Sequence, residues 1–451
     1  MTDKDAIREQ FSAHQIRRVK IGGFDVDGVL RGKYVSPEKF WSIVDGGMGF
    51  CDVIFGWDSA DVCYEDAKFT GWHTGYPDTP AKIDLDTFRV IPWEPGTAAF
   101  ILDFESQDGT PTAVSPRQLL RSVLKRADDM GFAVTAAMEF EFFIYQEEPE
   151  ELRERGFFRP RPLSPGMFGY SWLRTSQSSG LVHDLLDACD EFGLPIEGFH
   201  TETGPGVFEA ALRYTNALEA ADRAALFKTV VKEICSHRDL MATFMAKPAN
   251  GLPGCSGHTH QSLQHKGSGA SAFYDPNAAR GMSQTCRHYL AGQLALLPDI
   301  AALLAPNINS YKRLLDGNWA PNAATWGVEN RTCAIRYIPG TDKSTRLEHR
   351  FPAADTNPHT ALAAMIATGL YGIENALEPQ DAVSGNGYTA DAPKIPMSLH
   401  AATDALENSA TVKGILNPDF IEHYVMSRRW EVLQSEKAVT DWELRRYFEL
   451  A

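Results

Sequence analysis

The sequence predicts a small β-rich N-terminal domain followed by one large domain that is either α/β or α+β. The chain has 451 residues, which allows two or three domains. Short strand-like runs dominate its beginning, whereas helical periodicity alternates with strand patterns further along. Hydrophobic residues make up 43% and charged residues 23%, which excludes a disordered chain, a collagen and a coiled-coil rod.

The N-terminal elements follow from local patterns. In chain order we predict a polar helix at 3–14, two strands within 17–35, an ordered loop at 51–84, and strands at 88–93 and 97–106. The first two strands flank the turn at Asp27–Gly28. The loop is predicted because Gly, Trp, Asp and Pro are frequent there without periodicity. A polar stretch near 105–115 divides the chain into domains 1–110 and 111–451.

The larger domain alternates between the two periodicities. We predict a helix at 117–130, a strand at 132–146, a surface excursion at 147–166, helices at 215–239, 279–303 and 357–375, and a mostly helical segment at 417–450. Asn357 can cap its helix, with Pro358 in the first turn. No internal repeat is visible, which favours a single domain of about 340 residues.

Charge and composition exclude several classes of partner. Lys and Arg total 43 against 59 Asp and Glu, a net charge of −16 that opposes binding to nucleic acids and anionic membranes. No apolar run approaches about 18 residues and the N-terminus lacks the apolar core of a secretory signal, so we expect a cytoplasmic protein. The seven cysteines are scattered and form no CxxC pair, which predicts mostly buried, reduced thiols.

One predicted strand carries two closely spaced carboxylates. Glu139 and Glu141 stand two residues apart, so they share one face while Phe140 and Phe142 point to the other. The pair can form a dicarboxylate site, or it can be the solvated side of an edge strand.

Two further motifs place possible ligands near turns or loops. Glu202 and Glu209 flank the turn at 203–206, which can bring them together or simply form a solvated hairpin. His258 and His260 follow a Gly-rich loop and share one face of an extended run. These histidines are either structural or ligands for a metal or a phosphate.

A later segment is rich in basic residues although the whole chain is acidic. It contains Arg331, Arg336, Lys343, Arg346 and Arg350, interleaved with Glu348. The segment can form surface ion pairs, or it can hold phosphate or carboxylate oxygens.

Together these motifs indicate phosphoryl transfer. Several carboxylates with one or two imidazoles form a hard site that favours Mg²⁺ or Mn²⁺. Two such ions would screen a triphosphate while arginines stabilise the phosphoryl group. The sequence contains neither a GxxxxGK[ST] loop nor the HRD and DFG motifs of kinases.

The ordered motifs resemble the glutamine synthetase superfamily over roughly residues 15–450. They are MEFEFF, HTETGPGVFEAAL, MAKPANGLPGCSGHTHQSL, APNINSYKRL, AIR and RLEHRFPAADTNPHTALAAMIATGLYGI. The resemblance implies an α+β fold, with an N-terminal β-grasp domain and a catalytic domain built on a curved antiparallel sheet flanked by helices. It also implies a homo-oligomer, commonly a dodecamer of two hexameric rings. Each site would then be shared between neighbours, one of which contributes residues 51–84.

The resemblance also implies roles for individual residues. The first metal would be held by Glu141, Glu202 and Glu209, and the second by Glu139, His258 and Glu348. ATP would contact His260 and Ser262, with Arg336, Lys343 and Arg346 near its phosphates. Glutamate would bind Gly254, Arg313 and Arg350, and Arg331 would steady the transferred phosphoryl group.

The chain departs from the family pattern at the amine-binding flap. Glutamine synthetases carry a glutamate in the flap, where this sequence has Trp319 within residues 317–321. An indole cannot accept a proton from ammonium, but it can pack on an organic amine. Asp58 is expected to keep an acidic role beside Trp57, and Tyr170 matches a tyrosine next to the same pocket.

We therefore expect an ATP-dependent ligase that joins the γ-carboxylate of glutamate to an organic amine through a γ-glutamyl phosphate. The alternatives are a glutamine synthetase that uses ammonia and a non-catalytic structural or regulatory homologue. The class of amine stays open. A cationic polyamine is favoured by Asp58, Asp61, Glu65 and Asp66, and an aromatic or branched amine by Trp57, Trp319 and Phe199.

Overall fold

The computed structural model describes residues 4–314 and 319–450. Its N-terminal elements are α1 (Lys4–Ala13), β1 (Arg18–Phe24), β2 (Leu30–Val35), α2 (Pro37–Gly46), β3 (Met48–Cys51), β4 (Asp78–Val90) and β5 (Thr97–Phe104). The predicted helix and the two strands around Asp27–Gly28 are therefore present.

These five strands form one sheet in the order β2-β1-β5-β4-β3. Only β1 and β5 run parallel, and the other neighbouring pairs are antiparallel. Aromatic side chains from α1 and α2 cover one face, with ring centroids 5.1 Å apart for Phe11 and Phe40 and 4.6 Å apart for Phe40 and Phe100. The N-terminal part thus has an apolar core of its own.

The rest of the chain contains a second sheet and most of the helices. Its elements are α3 (Pro116–Asp129), β6 (Phe132–Tyr145), α4 (Pro149–Glu154), α5 (Trp172–Gln177), α6 (Ser179–Glu191), β7 (Ile196–Thr201), β8 (Val207–Leu212), β9 (Thr215–Asn216), α7 (Ala217–Ser236), β10 (Met241–Thr243), β11 (Gly257–His265), α8 (Gln284–Leu304), β12 (Trp326–Val328), β13 (Ile335–Ile338), β14 (Arg346–His349), α9 (Pro358–Glu374), α10 (Leu399–Asn408), α11 (Ala410–Ile415), α12 (Pro418–Lys437) and α13 (Asp441–Tyr447).

The second sheet has the order β12-β13-β14-β11-β6-β8-β7, and β9 and β10 also pair with β6. One of its faces is apolar. Phe140 and Phe142 of β6 are fully buried and pack on Phe227 of α7, at 6.3 and 6.0 Å between ring centroids. Because side chains alternate along a strand, Glu139 and Glu141 lie on the opposite face, as predicted.

Helices α8 and α9 approach each other closely enough for their backbones to touch. A Cβ added at Gly292 would lie 2.2 Å from the carbonyl oxygen of Thr368, and one at Gly372 would lie 2.1 Å from that of His288. Gln261 of β11 accepts a hydrogen bond from the hydroxyl of Tyr289 in α8 at 2.7 Å. The helix pair therefore packs against the second sheet at β11.

A buried arginine joins the N-terminal sheet to the helices. Arg117 of α3 donates to Asp222 of α7 at 2.9 Å and to Asp103 and Asp84 of the sheet at 2.7 and 2.8 Å. His359 of α9 also contacts Asp222, at 2.8 Å. Five elements, α3, α7, α9, β4 and β5, consequently meet at one charged, buried cluster.

A second buried arginine connects the two ends of the chain. Arg428 of α12 is fully buried and donates to Asp27 at 2.5 Å, within the turn between β1 and β2. Its other terminal nitrogen donates to the carbonyl oxygen of Pro306 at 2.8 Å. Helix α12 therefore fixes the position of the first hairpin.

Two predicted boundaries are wrong. The predicted loop at 51–84 ends earlier because β4 begins at Asp78, where pairing with β3 and β5 prevails over a strand-poor composition. The helix predicted at 279–303 begins only at Gln284. Arg280 interrupts the pattern with a left-handed φ of 58°.

Among the residues that the structure describes, no helix is long and apolar enough to cross a membrane. All seven cysteines are unpaired, and the five at Cys189, Cys235, Cys255, Cys286 and Cys333 are buried. This agrees with the expected reduced thiols.

Candidate active site

Strand register places the predicted acidic residues in rows across one face of the second sheet. Glu141 of β6 stands opposite Glu209 of β8, which stands opposite His200 of β7. In the adjoining row Glu139 of β6 stands opposite His258 of β11. Neighbouring strands lie about 4.8 Å apart, so side chains on this face converge.

A third row extends the site toward the end of the sheet. His260 of β11 stands opposite Glu348 of β14, which stands opposite Arg336 of β13. The period of two within β11 keeps His258 and His260 on the same face. Residues far apart in the sequence therefore form one continuous polar surface.

The side chains around Glu139 are in direct contact. Nδ1 of His258 lies 2.9 Å from Oε1 of Glu139 and 3.7 Å from Oε1 of Glu348. Nε2 of His260 lies 3.5 Å from the second oxygen of Glu139. Burial opposes ionisation of Glu139, yet the two imidazoles hold the pKa of its carboxyl group well below the usual range.

Glu348 is the most deeply buried carboxylate of this group. It accepts a hydrogen bond from Arg336 at 2.9 Å and another from Arg350. Burial opposes its charge, but Arg350 and the neighbouring histidines lower the pKa of Glu348 to about 2. The carboxylate is therefore ionised and held in place at neutral pH.

A histidine that the sequence prediction omitted connects Glu202 and Glu209. Nε2 of His200 lies 3.0 Å from Glu202 and 3.4 Å from Glu209. The ring of Tyr170 stacks on His200 at 4.4 Å between centroids and 12° between planes. The turn at 203–206 thus brings the two glutamates together, which agrees with the predicted convergence and not with a solvated hairpin.

Glu141 is held from the other side by the loop before β11. Its Oε2 accepts hydrogen bonds from the backbone nitrogen of Ser256 at 2.5 Å and from the Ser256 hydroxyl at 2.6 Å. Ser256 was also absent from the predicted site. Its position two residues before His258 was a usable signal, as was the placement of His200 two residues before Glu202.

The cluster is suited to bind cations. Burial and the charges of Glu139, Glu141 and Glu202 raise the pKa of Glu209 to about 9, and the charge of Arg350 offsets this effect only in part. Nε2 of His258 is buried and has no hydrogen-bond partner among the described residues. A divalent ion would relieve both conditions, and a set rich in carboxylate oxygens fits Mg²⁺ or Mn²⁺.

The described residues contain three groups of possible metal ligands, and within each group the donor atoms lie within 4.8 Å of one another. The groups are Glu139, Glu209 and His258; Glu139, His260 and Glu348; and His200, Glu202 and Glu209. They overlap with the two predicted ligand sets without reproducing either one. All six predicted ligands lie on this surface, while their division between two metals stays a prediction.

The predicted glutamate-binding residues also lie close together. A Cβ added at Gly254 would be 2.7 Å from Cγ of Arg313. The buried Arg313 donates to the carbonyl oxygens of Phe351 and Arg350 at 2.9 and 3.1 Å. Burial lowers the pKa of Arg313 to about 10. Arg350 connects this group to Glu348.

The predicted nucleotide-binding residues are partly assembled. Nε of Arg346 lies 3.2 Å from Nδ1 of His260, and Arg336 contacts Glu348 as described. Ser262 lies further along β11, where its hydroxyl is 2.9 Å from that of Thr135. Lys343 is exposed in the turn before β14.

Residues predicted for the amine pocket are more dispersed. Trp319 and Arg331 are exposed and line one cavity together with Trp326 and Val328. Gly317 and Asn318 of the flap lie outside the described residues.

The predicted loop residues of the amine pocket lie elsewhere in the same chain. Asp58 is buried and accepts hydrogen bonds from the backbone of Ala60 at 2.8 Å and from Trp430 at 2.9 Å. Trp57 packs against the guanidinium of Arg31, 5.0 Å from the ring centroid. Within the described part of one chain, neither residue contacts the carboxylate cluster.

Comparison with known proteins identifies the family. A family model described as glutamine synthetase, catalytic domain, matches residues 113–447. The chain belongs to the glutamine synthetase family. A solved structure of GmaS in complex with ADP resembles this family member with a TM-score of 0.86 and 28% identity over the whole of both chains. The glutamine synthetase fold predicted from the motifs is thereby confirmed.

Three curated relatives of this family member carry different activities in their names. A type-1 glutamine synthetase 2 of Dictyostelium discoideum is 47% identical over 100% of this chain and 87% of its own length. A glutamate–isopropylamine ligase of a Pseudomonas species is 36% identical over 98% and 97% of the two chains. A gamma-glutamylethanolamide synthetase of Streptomyces coelicolor is 36% identical over 97% and 94%.

Proposed function

We propose that this protein is an ATP-dependent ligase that joins the γ-carboxylate of glutamate to an organic amine. The observation that carries the proposal is the convergence of the six predicted ligand side chains near Arg336 and Arg350. Five of them belong to the donor clusters described above, and strand register places Glu141 opposite Glu209. Relatives named as isopropylamine and ethanolamide ligases support the amide product, and the ADP complex of GmaS supports ATP as the nucleotide.

The proposed metal ligands are the six predicted residues, Glu139, Glu141, Glu202, Glu209, His258 and Glu348. Bound Mg²⁺ or Mn²⁺ would neutralise phosphate charge during transfer. The imidazoles of His258 and His260 are already oriented by their contacts with Glu139, and His258 also lies 3.7 Å from the ionised Glu348. Pre-oriented ligands lower the cost of assembling the site.

The arginines and the glycine loop would position the two substrates. We assign the triphosphate to Arg336, Lys343, Arg346, His260 and Ser262, the glutamate to Gly254, Arg313 and Arg350, and the transferred phosphoryl group to Arg331. The absence of a side chain at Gly254 lets its backbone pack closely against Arg313. Guanidinium groups suit both carboxylate and phosphate oxygens because they present paired donors.

The reaction then takes two displacement steps. A γ-carboxylate oxygen of glutamate attacks the terminal phosphorus of ATP, and the bond to ADP breaks. The amine nitrogen attacks the acyl carbon, phosphate leaves, and the nitrogen loses a proton to solvent. One amide bond forms for each ATP converted to ADP and phosphate, and the arginines stabilise the charge on the transferred group.

An organic amine is favoured over ammonia by Trp319, which occupies the flap position where a glutamate is expected. Tyr170, stacked on His200 beside Glu202, offers a second aromatic surface. The second candidate is a glutamine synthetase that uses ammonia, which the name of the Dictyostelium relative favours.

Purified protein with ATP, Mg²⁺ and glutamate tests the proposal directly. Phosphate release and mass spectrometry of the amide are measured with ammonium, methylamine and isopropylamine at equal concentrations. We expect amide formation with the organic amines. Glutamine formation at low millimolar ammonium with no reaction of the amines would overturn the proposal, and no turnover with any of them would favour the non-catalytic alternative.

Trp319→Glu should shift selectivity toward ammonia. We expect the ratio of kcat/KM for ammonium to that for isopropylamine to rise by about tenfold or more, because a carboxylate can pair with ammonium. The KM for ATP should change little. Trp442→Glu is the matched control, since Trp442 is similarly exposed in α13. An unchanged ratio in Trp319→Glu would contradict the assignment of the flap.

Domain organisation and assembly complete the proposal. We propose domains at 1–110 and 111–451, supported by separate sheets on the two sides of this boundary. We also propose a cytoplasmic homo-oligomer, of which a dodecamer is the form that the family resemblance implies. Asp58 and Trp57 would then serve the site of a neighbouring subunit, which agrees with their distance from the cluster in their own chain.

A further inference from the structure

Residues 378–387 run along β12, the edge strand of the second sheet, and we call them the strap. The carbonyl oxygen of Gln380 accepts a hydrogen bond from Nε1 of Trp326 at 2.7 Å, and its side-chain amide donates to the carbonyl oxygen of Ala324 at 2.8 Å. The backbone nitrogen of Val383 donates to the carbonyl oxygen of Trp326, also at 2.8 Å. The first half of the strap is therefore fixed to the sheet.

The second half of the strap binds both neighbours of Arg331, within a segment that we call the Arg331 turn (residues 329–332). The side-chain amide of Asn330 donates to the carbonyl oxygen of Gly385 at 2.8 Å. Oγ1 of Thr332 accepts a hydrogen bond from the backbone nitrogen of Gly387 at 2.8 Å and donates to Oδ1 of Asn330 at 2.6 Å. The backbone nitrogen of Thr332 donates to the same oxygen at 3.0 Å. These hydrogen bonds enclose the Arg331 backbone from both sides.

The strap packs closely against this part of the chain. A Cβ added at Gly387 would lie 2.6 Å from the carbonyl oxygen of Thr332, and one added at Gly327 would lie 2.9 Å from that of Val383. Neither position has room for a side chain, because interiors are packed without such overlaps. The strap therefore restricts the backbone on either side of the Arg331 turn.

Two further arginines connect the Arg331 turn to the carboxylate cluster. Glu329 has a left-handed φ of 52°, and its carboxylate accepts a hydrogen bond from Nε of Arg336 at 2.9 Å. Arg336 also donates to Glu348 at 2.9 Å. The carbonyl oxygen of Arg331 accepts a hydrogen bond from Nε of Arg350 at 3.0 Å. A left-handed residue persists where surrounding contacts determine it, so the turn is held in one position relative to the proposed metal ligands.

The guanidinium of Arg331 keeps its donors available for a ligand. The residue is exposed, and among the residues that the structure describes no hydrogen bond or ion pair holds its side chain. Burial and the charges of Glu202 and Glu209 raise the pKa of Tyr170, and the charge of Arg331 opposes them. Arg331 thus lies within electrostatic reach of the cluster. The direction of its side chain depends on the backbone of the Arg331 turn.

We propose that Asn330 and Thr332 are positioning residues, which use the strap to direct Arg331 toward the transferred phosphoryl group. The inference rests on the proposed function and adds two residues that the sequence did not single out. A donor that is held in place before the reaction stabilises transition-state charge without reorganisation. Loss of the strap contacts should therefore lower kcat, while ground-state binding of ATP and glutamate changes little.

Thr332→Val tests the proposal because it removes the hydroxyl and keeps the shape of the side chain. Kinetics are measured with ATP, Mg²⁺, glutamate and the best substrate among ammonium, methylamine and isopropylamine. We expect kcat to fall by about tenfold and each KM to change by less than about twofold. Thr332→Ser should keep kcat near wild type. Thr389→Val is the matched control, because the hydroxyl of Thr389 donates at 3.1 Å to the carbonyl oxygen of Asn386 instead of to the Arg331 turn.

A double-mutant comparison determines whether the effect passes through Arg331. Arg331→Ala should lower kcat by about tenfold or more, and adding Thr332→Val to it should have no further effect. Calorimetry with ADP, Mg²⁺ and aluminium fluoride, which mimics the phosphoryl group in transfer, gives a second readout. Thr332→Val should weaken binding of this mimic by about tenfold and leave the affinity for ADP and Mg²⁺ alone unchanged.

Three results would overturn the inference. They are an unchanged kcat in Thr332→Val, an equal loss of kcat with and without Arg331, and an equal loss of affinity for ADP alone, which would indicate general damage. Asn330→Ala removes the other side-chain contact and should reproduce the loss of kcat, and thermal unfolding verifies that each variant is folded. An unchanged kcat in Arg331→Ala would overturn the role of Arg331, whereas amide formation by the wild-type protein tests the proposed function separately.

Discussion

Glu209 shows how neighbouring carboxylates change the titration of a single buried side chain. Burial and three neighbouring carboxylates raise its pKa to about 9, so the metal-free protein carries it protonated at neutral pH. The unfolded chain loses this proton near the ordinary pKa of 4.5, whereas the folded chain keeps it until about pH 9. The contribution of Glu209 to the free energy of unfolding therefore falls as pH rises between these two values. A divalent ion would reverse that preference because it stabilises the charged form.

Mg²⁺ binding should consequently release protons. At pH 7.5 we expect about one proton per site to be released, with apparent affinity rising from pH 6 to pH 9. Isothermal titration calorimetry in two buffers of different ionisation enthalpy measures the release. Glu209→Gln should bind Mg²⁺ more weakly and without this proton release. Binding to the wild-type protein with no proton release would contradict the prediction.

At the residue scale the family resemblance singled out six residues that the structure brings together: Glu139, Glu141, Glu202, Glu209, His258 and Glu348. Spacing alone predicted only that Glu139 and Glu141 share one face of their strand, as do His258 and His260, because side chains alternate along a strand. His200 was not predicted because its role depends on the register between β7 and β8, which is a tertiary property. The hydrogen bond between Asp58 and Trp430, separated by 372 positions, has no local signal either.

At the scale of elements, β6 combines a polar and an apolar face in one strand. Its glutamates contact His258, His260 and Ser256, while its phenylalanines pack on α7. Helix α8 contacts the second sheet and also packs closely against α9. The sequence predicted both helices, but not that Gly292 and Gly372 bring their backbones together.

Gly292→Ala should therefore destabilise the protein. The new Cβ would lie 2.2 Å from the Thr368 carbonyl oxygen, so the helices must separate. We expect the free energy of unfolding to fall by about 2 kcal/mol or more, measured by urea denaturation. Gly414→Ala in α11 is the matched control, because no atom lies within 4 Å of its added Cβ. The control should gain up to about 1 kcal/mol from helix propensity. Equal effects in the two variants would contradict the helix-contact explanation.

At the scale of the whole molecule, buried arginines hold the N-terminal sheet against the catalytic part. Arg117 joins both sheet carboxylates and α7, and Arg428 joins α12 to the first hairpin. The sequence predicted the N-terminal helix and the first hairpin from local patterns. It could not predict these contacts, because the partners are up to 401 positions apart.

Removing one partner of the Arg428 pair should be costly. Arg428→Met leaves Asp27 without its buried cation, and we expect a loss of about 3–5 kcal/mol in unfolding free energy. Arg429→Met is the neighbouring control, because the exposed Arg429 pairs with Asp404 and Glu407 at the surface. That change should cost less than about 1 kcal/mol. Similar midpoints for the two variants in a thermal or urea titration would contradict the buried role of Arg428.

The register of the second sheet limits where insertions and deletions can be tolerated during evolution. The donor groups reside on paired strands, where inserting or deleting one residue would turn a ligand toward the apolar helices. Residues 167–174 lie in the chain between β6 and β7 and belong to no strand, so this constraint does not apply to them. Length changes there would move the ring of Tyr170 relative to His200 while the register of the paired strands stays intact.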